Sequence, residues 1–261
     1  MGLGEQGKIW LIGGTGDSAA IAESFMAAQV PCVVTVTTET AKQLYPSHPL
    51  LTIQVGRLTA SELVAFEQQH NIVGVVDASH PFARSISETA IAFAYRSHLP
   101  YLRFERSSCT TAQEDVITLE SFEELFTGDY LQHQRVLLTV GCQVLPQFTS
   151  WQEKATLFAR ILPTVNALQT ALEAGFSPNR LIALRPPIQA ELEAALWRQW
   201  EISLVVTKAS GKAGGEATKR QVASQLGIPL IIINRPPVDY PRSTDRVETV
   251  VEFCQAIFTK V

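Results

Sequence analysis

An almost unbroken alternation of short apolar runs with helically spaced segments restricts the fold of this chain more than any other feature. Apolar and β-branched stretches at residues 9–12, 31–37, 51–55, 72–76 and 100–104 read as buried strands. Between them Leu63, Phe66 and His70 lie at helical spacing, and Ile86, Ala90, Phe93 and Ala94 mark one helix face. The rhythm restarts with strands at 135–140, 157–162, 181–184, 202–206 and 230–233. Helices fit Leu192, Ala195, Leu196 and Gln199, then Ala217, Val222 and Leu226, then residues 248–258. Such succession predicts an α/β protein of two Rossmann-like domains, with mostly parallel sheets and helices on both faces. We place the boundary at Asp129, giving domains 1–129 and 130–261, with the last helix packing back on the first. The 261 residues suit one large domain or two small ones.

Composition removes several function classes. The net charge of −4, without a basic run, argues against nucleic acid as a partner. No stretch has the length or apolarity of a membrane span, and the N-terminus does not read as a signal peptide. Cys32, Cys109, Cys142 and Cys254 are far apart, so neither a disulfide framework nor a metal site is expected. They read as packing residues of a cytoplasmic protein. A monomer is favoured over an oligomer.

In parallel α/β sheets ligands lie beyond the carboxyl ends of the strands. The first strand runs into Gly13-Gly14-Thr15-Gly16-Asp17 and then an alanine-rich helix. Strand, glycine turn and helix make a phosphate-binding unit, and Gly14, Gly16 and Ala19 match G-x-G-x-x-A. The second strand ends in Thr37-Thr38, with Glu39 and Lys42 beyond. Hydroxyls there suit a 2′-phosphate, which points to NADPH. Another strand ends in Asp77-Ala78-Ser79-His80-Pro81. Pro81 fits a first helical turn capped by Ser79 or His80. His80 also suits proton transfer. Residues 207–216, containing Lys208, Ser210, Gly211 and Lys212, have the small and cationic residues of an anion cradle, though not a Walker A loop. Arg103 and Arg106 fit bidentate carboxylate binding.

Taken in order, these segments resemble the precorrin-6A reductases of cobalamin biosynthesis, including those acting on the cobalt-containing substrate. The resemblance rests on residues 12–17, 76–83, 102–106, 160–163, 206–211 and 216–219. It implies NADPH-dependent reduction of a ring double bond of a tetrapyrrole to precorrin-6B, in a cleft between a nucleotide domain and a substrate domain. It implies cofactor contacts from Gly13, Gly14, Thr15, Gly16, Asp17, Thr37, Thr38, Asp77, Ser79 and His80. It implies catalytic roles for Ser79, His80 and Lys208. Substrate carboxylates would meet Arg84, Arg103, Arg106, Lys208, Ser210, Gly211, Glu216 and Lys219, with Arg103 and Lys208 facing each other. No metal is implied. The chain departs from the family pattern at Cys142, where a basic residue is usual, and at Arg185-Pro186-Pro187 in place of Gly-Pro-Phe. Two other readings compete. A short-chain dehydrogenase needs Tyr-x-x-x-Lys, and none of Tyr45, Tyr95, Tyr101, Tyr130 and Tyr240 has that lysine. A nucleotide sensor explains the glycine turn but not the polar strand ends of the second half.

Overall fold

Trp10 and Thr35 explain how the first sheet is built: the indole N–H donates to the threonine hydroxyl at 2.9 Å across neighbouring strands. Strand β1 (Lys8–Ile12) pairs in parallel with β2 (Cys32–Val36) and with β4 (Ile72–Asp77). The order is completed by β3 (Leu51–Val55), β5 (Tyr101–Phe104) and β12 (Ser243–Thr244), as β12-β5-β4-β1-β2-β3. Alternation along β1 sends Ile9 and Leu11 to one face and Trp10 and Ile12 to the other. The first face is covered by α1 (Gly16–Ala27) and α9 (Val247–Phe258), through Ile21, Phe25, Val250 and Cys254. The second is covered by α3 (Leu63–His70) and α4 (Arg84–Arg96), through Leu63, Phe66, Ala90 and Phe93. A strand buried on both faces must be apolar throughout, as β1 and β2 are.

The computed structural model describes residues 7–105, 116–211 and 214–259. It divides into one unit of Met1–Ser107 with Pro237–Val261 and a second of Ser108–Pro236. The second sheet, also parallel throughout, runs β6-β11-β10-β7-β8-β9. Its strands are β6 (Val116–Leu119), β7 (Arg135–Thr139), β8 (Thr156–Ile161), β9 (Leu181–Ala183), β10 (Leu204–Lys208) and β11 (Leu230–Ile233). Leu137, Phe158, Val205 and Ile232 pack against Ala194 and Trp197 of α7 (Ala190–Gln199) and Val222 and Ala223 of α8 (Glu216–Leu226).

The division differs from the expected one at residue 129. Strand β6 pairs with β11, which draws residues 116–129, including α5 (Phe122–Thr127), into the second unit. Strand β12 pairs with β5, which returns residues 237–261 to the first. The expected face of α7 also shifts, while α8 buries the expected Val222 and packs Leu226 against the core but differs in its first turn. Leu192 is 46% exposed, while Glu193, Ala194 and Trp197 turn inward. On α8, Glu216 and Lys219 are buried and Ala217 is exposed.

Candidate active site

In the first unit the strand order reverses direction between β1 and β4, the switch point at which such sheets open a crevice. The turn after β1 and the turn after β4 flank it. Thr15 Oγ1 donates to the Ala78 carbonyl at 3.1 Å and ties one turn to the other. Each glycine of the first turn has its own reason. Gly14 has φ +98°, a conformation that side chains oppose, and a Cβ there would meet nothing. A Cβ on Gly16 would also meet nothing, so the space in front of the helix is left open. A Cβ on Gly13 would overlap the Tyr45 hydroxyl and Val34. Thr15 caps α1: its Oγ1 accepts from Ser18 N–H at 3.1 Å, and Ser18 Oγ accepts from Thr15 N–H at 3.0 Å. The amide of Gly16, in the same first turn, has no preceding carbonyl of the helix to bond.

The turn after β4 is organised by a buried carboxylate. Asp77, fully buried, accepts on Oδ1 from Ser79 N–H at 3.0 Å and Arg103 Nη1 at 2.8 Å. On Oδ2 it accepts from Ser87 Oγ at 2.6 Å and Tyr101 Oη at 2.9 Å. Burial, reinforced by the charge of Asp77, pushes the Tyr101 hydroxyl far up, so it stays a donor. Arg103, 1% exposed, also donates from Nη1 to Ser79 Oγ at 3.0 Å and from Nε to Glu105 at 2.8 Å, and lies 5.1 Å from the Tyr240 ring centroid. Arg103 and Asp77 were expected to touch substrate and cofactor. Both are buried and paired, because two opposite charges buried at adjacent strand ends satisfy each other. Ser79 is buried and positioned by both.

His80, by contrast, is exposed. Its Nδ1 accepts from Phe82 N–H at 3.2 Å, which leaves a neutral ring's proton on Nε2. The expected capping role is not what the structure has: α4 starts at Arg84 with Ala83 at its cap, and Pro81 lies in the turn before it. Thr37 and Thr38 are exposed beyond β2, and Thr38 Oγ1 caps α2 (Glu39–Lys42) through Ala41 N–H at 3.2 Å. Arg84 is exposed and bonded to Glu88 at 2.7 Å. Arg106, Cys109 and Lys212 lie outside the described residues.

The second unit winds the same way, with its switch point between β7 and β10. Lys208, the last residue of β10, is half-buried, with Nζ 5.8 Å from the Phe122 ring centroid. Burial lowers its ammonium to about 8, against the opposing influence of Cys142. The following loop is held from beneath. Glu216 Oε2 accepts from Gly211 N–H at 3.1 Å, and Lys219 Nζ donates to the carbonyls of Gly214 at 2.8 Å and Gly215 at 3.3 Å. Ser210 is buried, and Gly211 has φ +66°. Glu216 and Lys219, expected to touch substrate, are 2% and 1% exposed and bond the loop. Arg160 pairs with Glu193 under the same helices, and Glu193 also accepts from Trp197 Nε1 at 3.2 Å.

Sequence reasoning missed Tyr45. It lies in a polar stretch after α2, and its hydroxyl accepts from Gly14 N–H at 2.8 Å and bonds Ser18 Oγ at 2.6 Å. A single aromatic amid polar residues was the available signal. Ser87 and Tyr101, the other partners of Asp77, were missed too. Among the described residues no group of three or more His, Cys, Asp and Glu is placed to hold a metal ion.

Comparison with known proteins matches residues 8–255 to the family model "Precorrin-6x reductase CbiJ/CobK". A cobalt-precorrin-6A reductase of Synechocystis is 48% identical over 250 residues, covering 95% of each chain. A cobalt-precorrin-6A reductase of Priestia megaterium is 31% identical over 246 residues, covering 93% of this chain and 96% of that protein. Among solved structures, a CobK precorrin-6A reductase superposes with a TM-score of 0.79 at 23% identity, covering 97% of both chains, which establishes the shared fold. A match spanning nearly all of both units, with the glycine turn and the Asp77 turn inside it, places the chain in the precorrin-6x reductase CbiJ/CobK family.

Proposed function

We propose that this chain reduces a ring carbon–carbon double bond of precorrin-6A, or of its cobalt form, to the precorrin-6B level, using NADPH, as a cytoplasmic step of corrin biosynthesis. The family is one of oxidoreductases that need a nicotinamide cofactor. The observation that carries the reading is the switch point of the first unit, where an open glycine turn is tied to the turn bearing Ser79 and His80.

The residues fit a dinucleotide. Gly14 and Gly16 leave room that a Cβ would enter, and the Gly16 amide, at the positive end of α1, would meet a diphosphate. Thr37 and Thr38 offer hydroxyls for a 2′-phosphate, with Lys42 a turn further on. When bound, the nicotinamide supplies the hydride. The chain's own tasks are orientation, charge and the proton that accompanies hydride addition to a C=C bond. Asp77 and Arg103 hold the 77–80 turn in one conformation, so that Ser79 and His80 are placed before any ligand arrives. His80 is exposed beside that turn, and an imidazole there suits the uptake and delivery of a proton. Lys208 supplies a cation for the substrate's carboxylates, Ser210 and Gly211 shape the adjoining loop, and Arg84 is a second exposed cation.

The test is anaerobic turnover of precorrin-6A and of its cobalt form, followed by loss of NADPH absorbance, with NADH in parallel. Consumption of NADPH with formation of the dihydro product supports the proposal. Binding of NADPH without consumption in the presence of either substrate favours a nucleotide sensor.

A further inference from the structure

We propose that Tyr45 is a positioning residue for the dinucleotide, setting the glycine turn through its hydroxyl. The inference rests on the reading that this turn holds the cofactor diphosphate. The ring of Tyr45 is packed in the core beneath the turn, 8% exposed, beside Val34 and other residues of that face. A hydroxyl taken out of water there is costly unless it is bonded. Both bonds go to the turn. Gly14 N–H donates to it at 2.8 Å, and it exchanges a bond of 2.6 Å with Ser18 Oγ. Ser18 Oγ in turn donates to the Thr15 carbonyl at 2.8 Å and accepts from Thr15 N–H at 3.0 Å. With Ser18 donating to Thr15, the shared hydrogen of the 2.6 Å bond belongs to Tyr45. Burial raises the pKa of Tyr45, so that hydrogen stays in place at neutral pH.

Three consequences follow for the turn. The N–H of Gly14 is committed to the protein, and so is that of Gly13, which donates to the Thr35 carbonyl at 2.9 Å. These two bonds fix the peptide planes on either side of Gly13, and Ser18 Oγ, itself bonded to Tyr45, fixes those on either side of Thr15 through its N–H and carbonyl, and with them the direction of the Gly16 amide. Gly13 itself is required by the tyrosine: a Cβ at that position would overlap Tyr45 Oη. Finally, Tyr45 follows Thr37 and Thr38 by only one short helix, so a single segment serves the ribose end of the site and its diphosphate turn.

The experiment uses the full chain with Tyr45→Phe, which keeps the ring and removes the hydroxyl. Four quantities are read: exchange of the Gly14 amide in the nucleotide-free protein, the Kd for NADPH by titration, KM and kcat. We expect Gly14 exchange to accelerate, the NADPH Kd and KM to rise roughly tenfold for two lost hydrogen bonds, and kcat at saturating NADPH to stay within about twofold. An unchanged or tighter Kd overturns the proposal, and so does a loss confined to thermal stability. Should Tyr45→Phe fail to fold, Ser18→Ala breaks the same chain of bonds one step on and is expected to weaken NADPH in the same direction. Gly16→Val separates the two readings. If it leaves NADPH binding intact, the turn is not the cofactor site. If it abolishes binding while Tyr45→Phe has no effect, only the role of Tyr45 fails.

Discussion

Replacing Arg103 by methionine keeps most of the aliphatic stem and removes the guanidinium from the centre of the Asp77 network. Asp77 is fully buried and would lose its only charged partner among the described contacts, while keeping Ser79 N–H, Ser87 Oγ and Tyr101 Oη. Removing one member of a buried ion pair typically costs about 3–5 kcal/mol. The three remaining donors put this case near the lower end. Glu105, 24% exposed, can rehydrate, so its lost contact adds less than about 1 kcal/mol. The expected destabilisation of the first unit is therefore about 3–4 kcal/mol, or roughly 10 °C in its melting temperature. Asp77→Asn should cost less, about 2 kcal/mol, because the amide can accept from Arg103 and Ser79 while donating to the two hydroxyls. Calorimetry of both single variants and the double variant gives the coupling. The double variant should be more stable than the sum of the singles by about 1.5–3 kcal/mol. Additive effects, or a loss below about 1 kcal/mol for Arg103→Met, would refute the claim that this pair holds the turn. If the claim is right, turnover falls as well, because Ser79 and His80 lose their fixed placement.

Gly16→Val should abolish NADPH binding in a folded protein, since the new branches enter space in which no protein atom lies within 4 Å; circular dichroism with a cofactor titration checks both halves. NADPH should be preferred over NADH because the end of β2 presents Thr37 and Thr38, and equal catalytic efficiencies would count against it. Lys208→Ala should weaken substrate binding by roughly ten- to a hundredfold, with NADPH affinity unchanged, as measured by KM and by cofactor titration. The Lys208 ammonium is depressed to about 8, so it is charged below that pH and neutral above it. Substrate affinity should accordingly fall as pH rises through about 8, and Lys208→Ala should flatten that dependence.

Much of the fold was legible because strands buried on both faces write themselves as continuous apolar runs, and β2 and β11 lie within the expected limits. Strand β6 escaped because it is an edge strand, with Ile117 and Thr118 exposed. The two crossings between units escaped with it, since they are set by β6 meeting β11 and β12 meeting β5, pairings between distant segments. The face of α7 and the first turn of α8 were misjudged for one reason. Hydrophobic spacing assumes that charges face water, whereas Glu193 finds Arg160 and Trp197, and Glu216 and Lys219 find the loop after β10. At the candidate site, strand ends pointed to the two turns that Thr15 Oγ1 ties together. They did not tell which residues face a ligand and which organise those that do, because Asp77, Arg103 and Tyr45 act through partners between 24 and 31 residues away in sequence or in neighbouring turns.

The two units share one winding, so their equivalent strands can be compared directly, and the comparison says why only the first reads as a nucleotide site. β1 and β7 occupy the same place, and each is followed by a glycine with positive φ, Gly14 at +98° and Gly141 at +82°. After Gly14 the chain enters a capped α-helix whose first amides point forward together. After Gly141 it enters a 3-10 segment, Cys142–Trp151, which contains Pro146 and has no side-chain cap. Its amides are not gathered into one aligned first turn, so a diphosphate finds no equivalent cradle. β4 and β10 also correspond, and their last residues diverge in the opposite sense. Asp77 is sealed by Arg103 and shapes a turn, while Lys208 keeps its ammonium at the strand end, over Phe122. An acidic protein that must hold a polycarboxylate needs its cations at a few chosen places. On the proposed reading Lys208 answers that need: the second unit buries the charges that support the loop and leaves Lys208 at the carboxyl edge of the sheet.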